Sequence, residues 1–296
     1  MSRELHAPAT KPEEADFPHS LLPQLDLQFC QAQPRTRLCR KQARYPYIVT
    51  SALYLEEAAP NFATVILQSA SGGLFEGEHL LQRFAVRPSA QACVMTQSSA
   101  VVQSMPGGGF AKAAVELIVE QDAYLEYRPR PIVLFPNARL VQQVRVRVAT
   151  RATVVLSEGF LGHDPEGCGG KFGWLDTRQD FHDLDGTPLV ANRGRFSGAE
   201  AFGSSPGISQ GVHCHGSVII MAPPDKLPIE GFRNEILKHF EDINDVYAGA
   251  SALPHRLGIF VRIAARDGFG LNLALETVIR SARVAILGFP PFQFGS

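Results

Sequence analysis

The sequence predicts a mainly β fold, a solenoid-like (β-helical) stack of short strands with two α-helices toward the C-terminus. Short β-rich runs recur at roughly the 8–12-residue spacing of an all-β body. The 26 glycines and 21 prolines imply many turns and few long helices. The rhythm of strand and turn suits a solenoid, although no repeat of fixed period is visible.

The predicted strands follow a polar N-terminal segment. Residues 1–22 are expected to form a flexible polar tail, and residues 23–296 a single β domain. In residues 141–148, Val144, Val146 and Val148 share one face and Arg145 and Arg147 the other, as in a half-buried strand. The other predicted strands are residues 47–55, 63–67, 82–86, 92–96, 114–119, 152–157, 218–221 and 258–263.

Residues 162–211 are rich in glycine, so we expect loops and edge strands there, with a subunit contact as one role. Two helices are predicted further on. Phe232, Ile236 and Phe240 recur at helical spacing and favour a helix over residues 229–245. A second apolar stripe predicts a helix over residues 271–287, ended by Gly288 and the prolines that follow.

Composition excludes several classes of function. Lys plus Arg is 28 and Asp plus Glu is 29, so a net charge of -1 gives no basic excess for nucleic acid. The N-terminus has no apolar region of a secretory signal, and no stretch reaches the ~18 apolar residues of a membrane span. The five cysteines are odd in number and contain no Cys-x-x-Cys pair, which argues against a disulfide framework. We therefore expect a soluble, cytoplasmic protein without a membrane partner.

A search for catalytic motifs finds none. The glycines at 107–109 are not followed by the Lys-Ser/Thr of a phosphate loop, so a flexible turn is favoured. Gly-Ser-Ser-Pro-Gly at 203–207 is no nucleophile elbow, because its proline stands where that turn needs a helix start, and no His-Glu-x-x-His occurs. The sequence predicts no catalytic residue and no tightly bound cofactor.

Two segments hold metal-ligating residue types. His213 and His215 are two apart, so on a strand both imidazoles face one way and suit nickel or zinc, although a polar strand end at the surface is the favoured interpretation. His163, Asp164, Glu166 and Cys168 lie in the glycine-rich segment, where loop polarity alone accounts for them. Glu126 and Glu158 lie near strand ends, either solvated or lining an internal polar path for a cation.

Several motifs, taken in order, carry a family resemblance. Residues 36–38, 45–46 and 53–56 resemble the opening of the urease accessory proteins of the UreD (UreH) family, and residues 67–80 resemble that family's glycine turn, with Gly72, Gly73, Gly77 and Glu78. The most specific block is Leu-Glu-Tyr-Arg-Pro-Arg-Pro at 125–131, followed by Phe-Pro-Asn-Ala-Arg at 135–139. Ile-Arg-Ser-Ala-Arg at 279–283 and Leu-Gly-Phe-Pro-Pro at 287–291 complete the set.

The resemblance implies a β-solenoid maturation chaperone that assists nickel insertion. Its implied partners are the urease apoenzyme, accessory protein F and, through F, the GTPase G; a dimer within that complex is one arrangement it allows. Nickel would pass in transit along oxygen ligands, for which we name Thr96, Ser99, Glu126 and Glu158, with His213 and His215 as a separate candidate site.

Five positions depart from the family pattern: Glu78, Val101, Gln103, His163 and Cys168. They leave open which side chains carry a metal path and whether the client enzyme is the same. Two alternatives therefore stand beside the chaperone: a metal-binding enzyme that uses His213 and His215, and a UreD-like scaffold for another metalloenzyme.

Overall fold

Two β-sheets and a layer of helices make up the protein. The computed structural model describes residues 17–18, 21–202, 211–241, 243 and 245–292. The strands are β1 (Leu25–Ala32), β2 (Arg35–Ala43), β3 (Tyr47–Val49), β4 (Ala63–Ser69), β5 (His79–Val86), β6 (Gln91–Thr96), β7 (Val101–Val102), β8 (Ala111–Val119), β9 (Tyr124–Arg128), β10 (Ile132–Leu134), β11 (Arg139–Val148), β12 (Thr153–Gly162), β13 (Trp174–His182), β14 (Pro188–Ser197), β15 (Cys214–Met221), β16 (Val246–Ala252) and β17 (Gly258–Ala265). The helices are α1 (Gly198–Ala201), α2 (Ile229–Glu241) and α3 (Gly268–Leu287), and a 3-10 turn spans Pro254–Arg256.

The chain forms a solenoid by passing alternately between the two sheets. Strands β5, β8, β11 and β13 lie side by side and parallel in the seven-stranded sheet, whose order is β14-β13-β11-β8-β5-β1-β2. Strands β4, β6, β9 and β12 do the same in the ten-stranded sheet, of order β16-β17-β15-β12-β9-β6-β4-β3 with β10 and β7 attached. Each coil therefore pairs only with the coils before and after it, as in a β-solenoid.

Antiparallel hairpins close the sheets at their edges. Strand β2 pairs with β1 at one edge of the seven-stranded sheet, and β14 pairs with β13 at the other. Strands β15, β17 and β16 extend the ten-stranded sheet beyond β12 by antiparallel pairing. These added strands widen the ten-stranded sheet and give the helices a platform.

The main core lies between the two sheets. Alternate residues of each strand face it, for example Val144 and Val146 of β11 against Leu125 of β9, all at most 2 % exposed. A second core lies on the outer face of the ten-stranded sheet, where Ile236 of α2 and Val278 of α3 are fully buried. Each such buried side chain contributes about 1.5–3 kcal/mol relative to its exposed state.

Helix α3 sits close to the sheet because two glycines leave room for it. Gly159 of β12 and Gly216 of β15 are directly opposite each other in the antiparallel pair. A Cβ added at Gly216 would lie 2.8 Å from Leu271 Cδ1, and one at Gly159 would lie 3.3 Å from Leu271 Cδ2. The helix starts at Gly268 because the Asp267 side chain accepts a hydrogen bond from the backbone N–H of Gly270. Among the described residues, no helix is long and apolar enough to cross a membrane.

The structure confirms the predicted fold class and corrects its details. The first predicted helix ends at Glu241, so Ile243 lies outside it, and the second begins three residues before Leu271. The glycine-rich segment 162–211 contains a full hairpin, in which β14 is an edge strand and β13 an interior one; residues 203–210 lie outside the described residues.

Two further expectations meet a different arrangement. Most of the predicted tail lies outside the described residues, but Phe17 is 8 % exposed, clusters with Leu81 and Ala114, and lies beneath the guanidinium of Arg145. The cysteine count argued against disulfides, yet Cys30 and Cys39 are joined across the β1–β2 hairpin with a Cα–Cα distance of 6.1 Å. The hairpin register brings them together, since Cys39 occupies the irregularity opposite Gln28 and Phe29.

Candidate functional site

Two adjoining cavities lie between the sheets and have a few polar side chains in largely apolar walls. Their volumes are about 260 Å³ and 350 Å³. Glu158 and Gly159 of β12 and Gln142 of β11 line both of them. Glu158 continues the inward-facing row of Val154 and Leu156, so one carboxylate replaces an apolar side chain where the cavities meet.

The smaller cavity is lined by hydroxyl groups. Thr96 and Ser99, both named from the sequence, lie in its wall with Ser69, Ser71 and Ser98. The Thr96 Oγ1 accepts a hydrogen bond from the backbone N–H of Arg130 at 2.8 Å, which fixes that side chain. Tyr47 reaches the same cavity, and burial raises the pKa of its hydroxyl to about 12. The wall thus offers neutral oxygen ligands, with Arg130 and Glu158 as its charged residues.

The larger cavity extends to the edges of both sheets. It is bounded by Asn192 of β14 and Tyr247 of β16, and Tyr247 is 69 % exposed. Arg262 of β17 donates a hydrogen bond to Asn192 Oδ1 at 3.1 Å, which joins the two sheets at this rim. Its guanidinium also lies 4.9 Å from the centre of the Phe260 ring.

Glu158 carries the main electrostatic perturbation of these cavities. Burial raises the pKa of Glu158 to about 7, although Gln179, Ser217 and Arg262 act in the opposite direction. Its Oε1 accepts a long hydrogen bond of 3.5 Å from Ser217 Oγ, and its Oε2 is buried without a partner. The carboxyl therefore titrates near neutral pH, with Gln179 and Ser217 as its hydrogen-bonding neighbours.

Glu126 lies apart from these cavities, whereas Thr96, Ser99 and Glu158 line them. Strand alternation turns Leu125 and Tyr127 of β9 toward the main core, and therefore turns Glu126 toward α3. There the carboxylate is fully buried and accepts hydrogen bonds from Arg283 Nε at 2.7 Å and from Tyr124 Oη at 2.6 Å.

Arg283 organises a buried ion-pair network around Glu126. It pairs with Glu126 and Glu56, and its guanidinium lies 4.6 Å from the centre of the Phe62 ring. Burial acts to raise the pKa of Glu126, but the charges of Arg283 and Arg128 and the hydrogen bonds it accepts outweigh burial and lower that pKa. The network ties α3 to the sheet, and it joins the Leu-Glu-Tyr and Arg-Ser-Ala-Arg blocks of the sequence.

Arg283 escaped the sequence prediction, although a signal exists. It lies four residues after Ile279, on the apolar face of the predicted helix, where a charged side chain needs a buried partner. Its two carboxylate partners are 157 and 227 residues away, and nothing in a single sequence pairs them.

His213 and His215 contact the same aromatic ring but lie in different environments. Their rings are 6.1 and 6.4 Å from that of Phe202. His213 is exposed and precedes β15, whereas His215 lines the larger cavity and stacks on Phe160 at 5.2 Å. Burial lowers the pKa of His215, although a hydrogen bond to the Ala201 backbone acts in the opposite direction.

The segment from His163 to Cys168 forms a loop that Asp164 holds by hydrogen bonds to the backbone. Asp164 accepts hydrogen bonds from the backbone N–H groups of Gly170 at 2.7 Å and Glu166 at 3.1 Å. His163 packs against Phe135, and Cys168 is exposed. Across the described residues, no group of three or more His, Cys, Asp or Glu side chains is placed to hold a metal ion.

The turn that contains Gly72 and Gly73 contacts Val101 and Gln103, two of the positions that depart from the family pattern. Gly73 has φ 137°, and a Cβ there would lie 2.4 Å from the carbonyl oxygen of Val101. Gln103 Nε2 donates to the carbonyl oxygen of Gly72 at 2.7 Å. The Glu78 carboxylate accepts from the backbone N–H of Phe75 at 2.8 Å, and Gly77 has φ 82°. These contacts give the turn a structural role between β4 and β5.

Known proteins match this chain along nearly its whole length. The family model of the UreD urease accessory protein matches residues 23–293. Urease accessory protein UreD 2 of Bradyrhizobium sp. (strain BTAi1 / ATCC BAA-1182) is 32% identical over 268 residues, covering 90% of this chain and 91% of the relative. UreD 1 of Methylorubrum extorquens (strain PA1) is 32% identical over 269 residues, covering 90% of each. UreD 1 of Pseudomonas syringae pv. syringae (strain B728a) is 32% identical over 252 residues, covering 85% and 87%. This chain belongs to the UreD family of urease accessory proteins.

Proposed function

We propose that this chain is a cytoplasmic, non-enzymatic chaperone that binds apo-urease with accessory proteins F and G and assists nickel insertion. The observation that carries the proposal is the family match over residues 23–293, a range that includes both sheets, helices α1 to α3 and the cavities between the sheets. The relatives' printed names call them urease accessory proteins. A role in assembly also suits an interior that offers polar cavities and neutral oxygens.

Nickel would pass through the two adjoining cavities as cargo. The hydroxyls of Thr96 and Ser99 and the carboxylate of Glu158 line them and can exchange for water around a divalent ion. Glu126 takes no part in this proposal, because Arg283 and Tyr124 already occupy its oxygens. Weak binding suits transit, since a deep energy minimum would retain the ion.

Replacing Glu158 by leucine tests the path. We expect Glu158→Leu to reduce urease activation while the accessory complex still assembles, because an apolar side chain removes the charged oxygens at the junction. Glu241→Leu, at the exposed end of α2, is the matched control. Loss of assembly would make Glu158 structural instead, and full activation by the Glu158 variant would remove it from the path.

An apolar stripe of α3 supports a partner surface. Phe269, Leu273 and Val284 are 80 %, 45 % and 45 % exposed, which is unusual for side chains of this size. Phe292, beyond the helix, is 45 % exposed, whereas Phe289 packs edge-on to Phe62 at 6.2 Å. We assign this surface to accessory protein F; a dimer within the complex would then form through F.

Co-expression tests the partner assignment. The soluble yield of the chain should rise with accessory protein F, and the two should co-purify with apo-urease. Phe269→Ser with Leu273→Ser should abolish co-purification without unfolding the chain, since both side chains are exposed. Unchanged yield without co-purification would contradict the assignment.

The alternatives have their own signatures. A metal-binding enzyme using His213 and His215 would retain stoichiometric metal and turn over a substrate. A scaffold for another metalloenzyme would assemble with a client other than urease. Urease genes beside this gene would favour the chaperone over both.

A further inference from the structure

We propose that strand β2, at the edge of the seven-stranded sheet, binds an acidic, extended segment of a partner protein. The charges of this strand and the backbone groups along its outer side both favour such a segment. The inference goes beyond the proposed function, because it concerns a surface separate from the α3 stripe assigned to accessory protein F and does not involve nickel.

The segment that forms β2 is strongly basic, although the whole chain has a net charge of -1. Residues 35–44 contain no aspartate or glutamate. Their cations, named here the basic edge, are Arg35, Arg37, Arg40, Lys41 and Arg44. All of these residues are exposed, so the strand presents a concentrated positive charge to solvent.

Carboxylates offset little of the charge of the basic edge. Asp26 of β1 pairs with Arg40 at 3.0 Å, and in the described part of the chain it is the one carboxylate within ion-pair distance of these cations. Asp26 also lies 3.8 Å from Arg83, which shares its charge. Arg35 lies over the ring of Tyr54, 4.5 Å from its centre, and this contact leaves the positive charge in place.

The backbone of β2 can pair with a further strand. It pairs with β1 along one side, and no strand of the described residues pairs with its other side. The N–H of Arg44 donates to the carbonyl oxygen of Gln24 on the β1 side. Because the backbone groups of an antiparallel strand alternate in direction, those of Ala43 and Lys41 point outward.

The structure closes the backbone on either side of this stretch. The N–H of Thr36, near the start of β2, donates to the carbonyl oxygen of Asn61 at 3.0 Å. In β3, the last strand of the other sheet, the carbonyl oxygen of Val49 accepts from Lys41 Nζ at 2.6 Å. Residues 40–43, which follow the irregularity in the β1–β2 register, therefore form the uncovered part of the edge.

These two features together select the class of partner. A polypeptide presents the alternating N–H and C=O groups that a strand edge binds, which favours a protein over a nucleic acid or a lipid headgroup. A second copy of this chain is disfavoured, because its own basic edge would bring like charges together. Tyr45 and Ile48, next to the edge, are 71 % and 52 % exposed and add apolar contact area. The occupant that fits is a strand with acidic side chains.

Fluorescence anisotropy with a labelled peptide of alternating glutamate and threonine tests this surface on the full chain. Arg37→Glu with Arg44→Glu should raise the Kd about tenfold or more, because two attractive charges become repulsive. The control Arg151→Glu with Arg266→Glu makes the same change in net charge at two exposed arginines elsewhere. It should change the Kd by less than about twofold, since distant surface charges are screened by salt.

N-methylation of alternate residues of the peptide separates strand pairing from charge attraction. The methylated peptide keeps its charges but loses main-chain donors, so its Kd should also rise about tenfold. Hydrogen exchange measures the same contact on the protein: the amides of Lys41 and Ala43 should exchange more slowly when the unmodified peptide is bound. This measurement uses the wild-type chain, so it decides the question even if circular dichroism shows that the charge-reversed variant fails to fold.

Four results would each overturn the inference. These are binding of the acidic peptide no tighter than that of a lysine–threonine peptide, an equal loss in the control variant, equal binding of the methylated peptide, and unchanged exchange at Lys41 and Ala43. Tighter binding of a single-stranded oligo-dT or of phosphatidylserine vesicles would overturn it as well, by assigning the basic edge to a nucleic acid or a membrane. None of these results depends on urease activation, so their failure leaves the proposed function in place.

Discussion

Glu158 and Glu126 are both buried, but their pKa values shift in opposite directions. Glu158 faces the cavities without a cationic partner in contact, so burial raises its pKa to about 7. Glu126 is buried more deeply, but Arg283 and Arg128 lower its pKa. The first carboxyl is available for exchange with ligands, and the second is a fixed part of the scaffold.

The raised pKa of Glu158 predicts how stability depends on pH. The folded chain binds the proton of the Glu158 carboxyl more tightly than the unfolded chain does. Protonation of Glu158 therefore stabilises the fold fully below about pH 4.5, and this contribution is lost as the pH rises to about 7. Glu158→Gln should therefore gain about 1–3 kcal/mol in free energy of unfolding over wild type between pH 4.5 and pH 8. Urea unfolding at both values measures the gain. The control Glu241→Gln should show none, and a gain that is larger at low pH would refute the assignment.

Removing Arg283 should be costly. Arg283→Met keeps the length of the side chain but leaves Glu56 without its cation and Glu126 with Arg128 alone, 3.6 Å away, at a cost of about 3–5 kcal/mol. Arg280→Met, three residues earlier on the exposed face of α3, should change stability by less than about 0.5 kcal/mol. Chemical unfolding of both variants measures the contrast. Equal stability of the two would show that the network contributes nothing.

At the scale of elements, α3 depends on its glycine platform. Gly159 and Gly216 face Leu271 on the outer side of β12 and β15, while Glu158 and His215 face the cavity on the inner side. The same strand pair therefore seats the helix and carries the candidate site. Moving the helix would disturb the geometry of both.

One methyl group on this platform should be sufficient to disturb it. The Cβ of Gly216→Ala would meet Leu271 Cδ1 at 2.8 Å and the Glu158 carbonyl oxygen at 3.1 Å, so we expect a loss of about 1–3 kcal/mol. Gly249→Ala on β16 has open space within 4 Å and serves as the control. Thermal unfolding compares them; a Tm for Gly216→Ala equal to that of Gly249→Ala would contradict the tight contact.

Strand and helix positions were largely predictable, because they depend on local pattern. Val144, Val146 and Val148 face the core as their alternation predicts. The sequence pattern does not separate β13 and β14 within residues 162–211, because glycines and charged residues interrupt the alternation of apolar and polar side chains there. The first helix stops at Glu241, although Ile243 continues the apolar stripe.

Pairing across the chain could not be predicted in the same way. The coils of the ten-stranded sheet begin at residues 63, 91, 124 and 153, so no fixed period marks them. Glu158 and His215 meet only through the register of β12 and β15. The side of β9 on which Glu126 lies could not be predicted, because both faces of the strand are buried and alternation alone does not say which face is inward.

At the scale of the whole molecule, the alternation of coils between sheets creates the interior. Gln142 belongs to one sheet and Glu158 to the other, so the cavities exist only when successive coils stack. The α3 surface lies on the far side of the ten-stranded sheet from those cavities. The proposed chaperone thus uses its outer surface for partners and the inter-sheet interior for the ion.

Urease activation in a strain that lacks its own UreD tests the central claim most directly. Expression of this chain with the urease subunits and accessory proteins F and G should restore urease activity, and the purified urease should contain nickel. Apo-urease that remains nickel-free and inactive, although the chain is soluble and folded, would contradict the account.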